Sequence, residues 1–169
     1  MLFRSGNAKS SDIAINFGAP GDRRSDDGTM WVDYPSVGGK SPKRKIKTRP
    51  AEDKLKTFRV HSSLVANEDD WISGSGVVGI KEIELSVESQ KPLKIVLYFC
   101  EPTASKSRSF RIDVNGKTVD PKFDVALAAG GRHRGVTRTF AVTPDSKKVR
   151  INFSGDREAI VSGLKVLGE

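Results

Sequence analysis

The feature that most limits what this chain can become is a two-residue beat of apolar side chains, repeated in separate segments. Ile83, Leu85 and Val87 alternate with Glu82, Glu84 and Ser86; Phe110, Ile112 and Val114 alternate with Arg111 and Asp113; Val149, Ile151 and Phe153 alternate with Arg150 and Asn152. Successive side chains of a strand point to opposite faces, so each segment reads as a strand with one buried face. Leu93 to Phe99 is apolar almost throughout and fits a central strand. Asn115-Gly116, set between Arg111–Val114 and Lys117–Val119, predicts a hairpin, because a two-residue turn of this kind needs positive φ at both central positions. Gly135 to Val142 and Ala159 to Leu167 read as two more strands, and another begins by Asp12. Phe123 to Ala129, closed by Gly130-Gly131, is the one helical candidate. About eight or nine strands, roughly ten residues apart and without helices between them, specify an all-β sandwich or barrel.

A chain of 169 residues makes one domain and buries roughly 70% of its unfolded surface, so it folds without needing a metal or a disulfide. The net charge is +8, which suits nucleic acid, an anionic membrane surface or an acidic polymer as partner. Nine Lys/Arg between Lys40 and Arg59 face only Glu52 and Asp53. With Pro35, Pro42 and Pro50 nearby, residues 36–56 read as a long, solvated basic loop. No aromatic lies between Lys40 and Lys56 to stack bases, which counts against a single-strand nucleic-acid platform. Cys100 is the one cysteine, so no internal disulfide forms. No stretch reaches the roughly 20 apolar residues of a membrane span. Met1-Leu2-Phe3-Arg4 runs straight into polar sequence, unlike a signal peptide. Residues 1–11 read as a tail and 12–168 as a single domain cut from a longer protein.

Catalytic and metal motifs fail on context. Gly74-Ser75-Gly76-Val77-Val78-Gly79 has the spacing of a dinucleotide loop but runs into an alternating strand instead of a helix, so it reads as a glycine-rich turn. His61, His133 and Cys100 lack metal-ligand spacing. Asp22, Asp26, Asp27 and Asp33 crowd one loop; they read as turn formers, with a calcium site as the alternative. No nucleophile elbow is present, and Cys100 reads as a small core hydrophobe. Asp33 and Glu101 are the imaginable carboxylate pair for glycoside hydrolysis, though nothing in their spacing demands it.

The aromatics carry more. Trp31, Tyr34 and Trp71 sit in or beside segments rich in Gly, Ser and Asp, where rings can stack on the C–H face of a sugar while carboxylates and amides take its hydroxyls. Trp31/Asp33/Tyr34 and Asn67/Asp70/Trp71 offer that combination. The competing reading is that either indole plugs the end of a sandwich.

Ile15-Asn16-Phe17-Gly18, then Trp31, Asp33, Tyr34 and Gly38-Gly39, then Tyr98-Phe99-Cys100-Glu101, then Arg108 through Gly116, Phe123-Asp124-Val125 and finally Ala159 through Val166 follow one another in a recognisable order. In that order the chain resembles a malectin-like carbohydrate-binding domain, from about Asp12 to Leu167. More narrowly, Gly18 through Arg24 and Trp31 through Gly39 are similar to C-terminal domains of exported planctomycete-type bacterial proteins, often fused to quinoprotein-like β-propellers. The resemblance implies a two-sheet jelly-roll β-sandwich of malectin/galactose-binding-like type. It also implies a glycan site on loops at one end, no catalysis, and an extracytoplasmic parent: periplasmic, cell-surface or secreted. The loop Pro102–Arg108 departs from the animal relative in lacking aromatics, so that relative's oligomannose-type ligand is not carried over.

The expectation is therefore a non-catalytic glycan-binding module with no cofactor. Trp31, Asp33, Tyr34 and Trp71 would hold the sugar, and Glu101 would touch it or brace its loop. Arg23, Arg24, Lys106, Arg108, Arg132 and Arg134 would favour anionic sugars, since the guanidinium fork matches such groups. Affinity would be about micromolar to millimolar. The rival is a docking domain that packs on a parent protein and binds no sugar; nucleic acid is the weaker third reading.

Overall fold

The computed structural model describes residues 13–37, 45–61, 70–103 and 108–168. The 1–11 tail, Gly38, Gly39, Asn67 and Lys106 lie outside the described residues, and of Asp70 only the backbone is described.

Fourteen strands are described: β1 (Ala14–Phe17), β2 (Arg23–Arg24), β3 (Met30–Tyr34), β4 (Ile46–Arg49), β5 (Lys56–Arg59), β6 (Ser75–Val78), β7 (Glu82–Ser86), β8 (Leu93–Cys100), β9 (Ser109–Val114), β10 (Lys117–Asp124), β11 (Gly135–Val142), β12 (Lys148–Ser154), β13 (Ile160–Val161) and β14 (Gly163–Gly168). Two short helices join them, α1 (Asp70–Ser73) and α2 (Val125–Ala129). A six-stranded sheet ordered β11-β8-β14-β1-β3-β2 and a five-stranded sheet ordered β10-β9-β12-β7-β4 form the sandwich. The β1–β3 pair is parallel and the other pairs antiparallel.

The alternation seen in the sequence is the inner face of this sandwich. Ile95, Leu97 and Phe99 of β8 meet Ile83 and Leu85 of β7, Phe110 and Ile112 of β9 and Ile151 of β12 in one buried cluster. Phe99, Phe110, Phe123 and Phe153 interlock there, with ring centroids 4.8–6.0 Å apart, the tilted and edge-on range in which aromatic pairs are favourable. The Asn115-Gly116 turn has the positive φ angles its sequence requires, +46° and +81°, and pairs Val114 with Lys117.

Four expectations change. The structure adds a third, three-stranded sheet, β13-β6-β5. The strand read over Ala159–Leu167 breaks at Ser162: Ile160 and Val161 pair with β6, whereas Gly163 onward pairs with β8 and β1. The segment read as a basic loop contains β4, a 3-10 turn at Glu52–Lys54 and β5. Here Ile46 and Thr48 turn inward while Lys47 and Arg49 face out, so the charges sit on the solvent side of a sheet edge. The helix is shorter than Phe123–Ala129, because Phe123 stays in β10 and Asp124 caps α2 by accepting from the Leu127 N–H at 3.0 Å.

Gly18 is required where β1 ends. Its φ is +71°, and a Cβ there would lie 2.6 Å from the Gly76 carbonyl oxygen. That contact brings β6 against β1, and Ser75 Oγ donates to the Phe17 carbonyl at 2.8 Å.

Candidate functional site

The outer face of the six-stranded sheet carries a second, smaller cluster. On β1, Ile15 and Phe17 face the main core, while Ala14 joins Trp31 of β3 and Ile72 of α1 outside it. Helix α1 lies over this face and covers it. Gly163 makes the seat: it pairs with Tyr98, and a Cβ on it would stand 2.7 Å from Ile72 Cγ2. Trp31 is sealed beneath, 3% exposed, with Trp71 at 5.7 Å and Tyr98 at 5.4 Å, both nearly perpendicular to it.

Trp71 and Tyr98 are the half-buried rings of the trio. Arg23, paired with Trp31 across β2–β3, reaches over Trp71, its Cζ 4.6 Å from the ring centroid. Trp71 and Arg23 together line two concavities. One, of about 530 Å3, adds Asn16, Asp22, Arg59 and Ser75. The other, of about 400 Å3, adds Arg24, Asp27, Tyr98 and Lys165. Asp27 is held in the β2–β3 turn by Ser25 Oγ and by the Thr29 N–H at 2.9 Å. Those hydrogen bonds, with the Lys165 ammonium 3.4 Å away, hold its carboxyl well below the usual carboxylate range. A polar rim of four cations (Arg23, Arg24, Arg59, Lys165) and three carboxylates (Asp22, Asp26, Asp27) thus surrounds a supported indole.

The sequence-predicted residues separate into three groups. Trp31 and Trp71 come together, but Trp31 presents no open face: the ring expected to stack on sugar is core, because α1 covers what would otherwise be a solvent-facing strand position. Tyr34 is likewise core. It faces the opposite side of β3 from Trp31, stands edge-on to Phe17 at 5.9 Å, and its hydroxyl pairs with Thr48 Oγ1 at 3.0 Å. Asp33, 4% exposed, uses Oδ2 to accept the Val37 N–H at 2.9 Å, while its own N–H donates to Asp22. Its place is the brace of the chain leaving β3.

Glu101 and Arg108 form the third group. The Glu101 carboxylate accepts from Arg108 Nε at 3.0 Å and from the Thr103 hydroxyl at 3.0 Å, and Arg108 also donates to the Glu158 carbonyl. Both are deeply buried, with side chains 4% and 11% exposed. Glu101 thus ties Thr103 to Arg108. Arg132 is exposed on the turn between α2 and β11. Neighbouring Cys100 is fully buried, and loss of hydration, then the Glu101 charge, pushes its thiol up to about 11. Among the described residues, no three or more His, Cys, Asp or Glu gather as metal ligands, and no helix is long and apolar enough to cross a membrane.

Tyr98, Asn16 and Lys165 were not singled out as site residues in the sequence. Tyr98 gave a signal, being the one aromatic at an outward position of an otherwise apolar strand.

The malectin domain model matches residues 82–166, half of the chain. This chain belongs to the malectin domain family. The malectin match spans β7 to β14 and includes Tyr98, Glu101, Arg108 and Lys165, while Arg23, Trp31 and Trp71 lie before it. Among solved structures, a calcium-binding mutant of Bacteroides uniformis β-glucuronidase 2 superposes with a TM-score of 0.76 at 18% identity, over 98% of this chain and 19% of that one. The ANX2 ectodomain from Arabidopsis thaliana superposes with a TM-score of 0.70 at 14% identity, over 91% of this chain and 48% of that one. The malectin chain described here thus spans about a fifth of the first protein and about half of the second, and the likeness is one of fold. No curated protein matches it in sequence.

Proposed function

We propose that this malectin domain is a non-catalytic carbohydrate-binding module whose ligand lies against Trp71. One observation carries the reading: Trp71 is a half-buried indole, braced by Trp31, that lines two concavities. A sugar needs an aromatic surface fixed in place, since each contact to a wet ligand is weak, and ordering a loose ring would cost what the stacking supplies. Arg23, Arg24, Arg59 and Lys165 around it suit a ligand with carboxylate or sulfate groups. The non-catalytic part of the reading is supported by the engagement of two carboxylates: Asp33 holds its own loop and Glu101 holds Arg108. In this reading the domain serves as an accessory part of a larger exported protein and acts outside the cytoplasm.

A docking role is favoured by one observation, the burial of Trp31 and Tyr34, which removes two of the three rings expected to meet sugar. A glycan array with neutral, uronate and sulfated glycans separates the two. Binding to a defined set, lost in Trp71→Ala with the fold retained by circular dichroism, supports the lectin reading. Silence of the wild-type domain across the array would refute it and leave docking.

A further inference from the structure

A groove of about 750 Å3 shares no residue with the Trp71 concavities. It runs where the five-stranded and three-stranded sheets meet, between the end of β4, the 3-10 turn, the start of β5, the β6–β7 connection and the chain after β12. Arg49, Lys54, Lys56, Lys81 and Arg157 line it, with Asn152, Asp113, Asp156 and Glu158. We propose that this groove is a second binding site, for a sulfated or uronate-bearing polysaccharide, independent of the Trp71 site.

The framework is rigid. The Lys81 N–H donates to the Arg49 carbonyl at 2.8 Å, and the Lys81 carbonyl accepts from Phe153 at 2.9 Å, so the backbone bearing Lys81 is tied to both walls. The Gly79 N–H donates to the Ala159 carbonyl at 2.8 Å. Arg49 is held by Glu82, which also accepts from Asn152 Nδ2 at 3.0 Å. Lys54, Lys56 and Lys81 are exposed and make no ion pair with a described residue. With five cations (Arg49, Lys54, Lys56, Lys81, Arg157) against three carboxylates (Asp113, Asp156, Glu158), the groove lining is net positive and attracts a polyanion. Ammonium groups act as point charges without a fixed fork, so they accept the irregular spacing of sulfates or carboxylates along a sugar chain. Asn152 and the groove carboxylates supply partners for the hydroxyls between those charges. Single-stranded nucleic acid is disfavoured: the one aromatic lining the groove is Phe153, 5% exposed, which leaves no stacking surface.

The test compares two triple charge reversals in the 169-residue chain. Lys54→Glu/Lys56→Glu/Lys81→Glu changes the groove. Lys94→Glu/Lys117→Glu/Lys122→Glu makes the same change of net charge at exposed positions outside it. Binding to dextran sulfate, polygalacturonate, uncharged dextran and a single-stranded oligonucleotide is measured by calorimetry at two salt concentrations. The groove triple should lose about tenfold or more in affinity for either acidic polysaccharide, the control triple under about threefold, and Trp71→Ala should leave this binding in place. A Lys→Gln triple repeats the groove test should the Glu triple fail to fold. Equal losses in the two triples would overturn the proposal, since binding would then follow overall charge. So would tighter binding of the oligonucleotide than of both polysaccharides.

Discussion

The Arg23 guanidinium sits 4.6 Å from the centre of the Trp71 indole, and this pair is shared by the linings of two concavities. The contact orients a cation beside a flat apolar surface. At an exposed site such a pair contributes about 0.5–1 kcal/mol. Arg23→Gln should therefore shift the urea midpoint little, and should weaken an acidic oligosaccharide several-fold more than its neutral counterpart. Equal weakening of both would assign Arg23 a shape role only.

Trp31 and Trp71 should respond differently to truncation. Removing a buried indole costs about 3–5 kcal/mol, a large share of the about 5–15 kcal/mol that holds a domain together. Trp31→Ala should lower the denaturation midpoint severely, and Trp71→Ala much less. A Trp31→Ala protein of near wild-type stability that has lost glycan binding would place Trp31 in the site after all.

Glu101 and Arg108 should behave as a unit. Truncating one partner of a buried ion pair strands the other, at about 3–5 kcal/mol. Glu101→Ala and Arg108→Ala should each destabilise strongly, and the double variant by clearly less than their sum in a double-mutant cycle. Simple additivity would contradict the coupling.

Acid should loosen the domain in a defined window. Asp27 is held below its ordinary 3.8, chiefly by the Ser25 hydroxyl, and Glu84 below its ordinary 4.5, chiefly by Arg150. A carboxylate whose folded-state pKa is depressed lends stability above its unfolded pKa, and that stability is lost as pH falls toward the folded value. Thermal midpoints should hold from neutral pH to about 5 and decline from about pH 4.5 downward. Because both groups are solvent-screened, the loss is modest. Asp27→Asn should decline less steeply than wild type; an identical profile would remove Asp27 from the cause.

The strands Leu93–Cys100, Ser109–Val114 and Gly135–Val142 were legible because their pattern is local: alternation, an apolar run, an Asn-Gly turn. Strand β4 was not. Only Ile46 and Thr48 turn inward, and what makes them a strand is pairing with β7, more than 30 residues away. Burial of Trp31 was hidden for a related reason. Its cover is α1, four residues long and too short to show a helical period, and the cover fits only because Gly163 leaves room for Ile72. The Glu101–Arg108 clamp shows in sequence as two charges seven apart, a spacing with no meaning until the end of β8 and the start of β9 come together.

The most direct measurement is a calorimetric titration of the wild-type domain and of Trp71→Ala with the strongest glycan from the array. Wild type should bind with a Kd of about micromolar to millimolar, and the variant, folded at the titration temperature, should show no measurable heat. Unchanged affinity in Trp71→Ala would contradict the placement of the sugar on this ring.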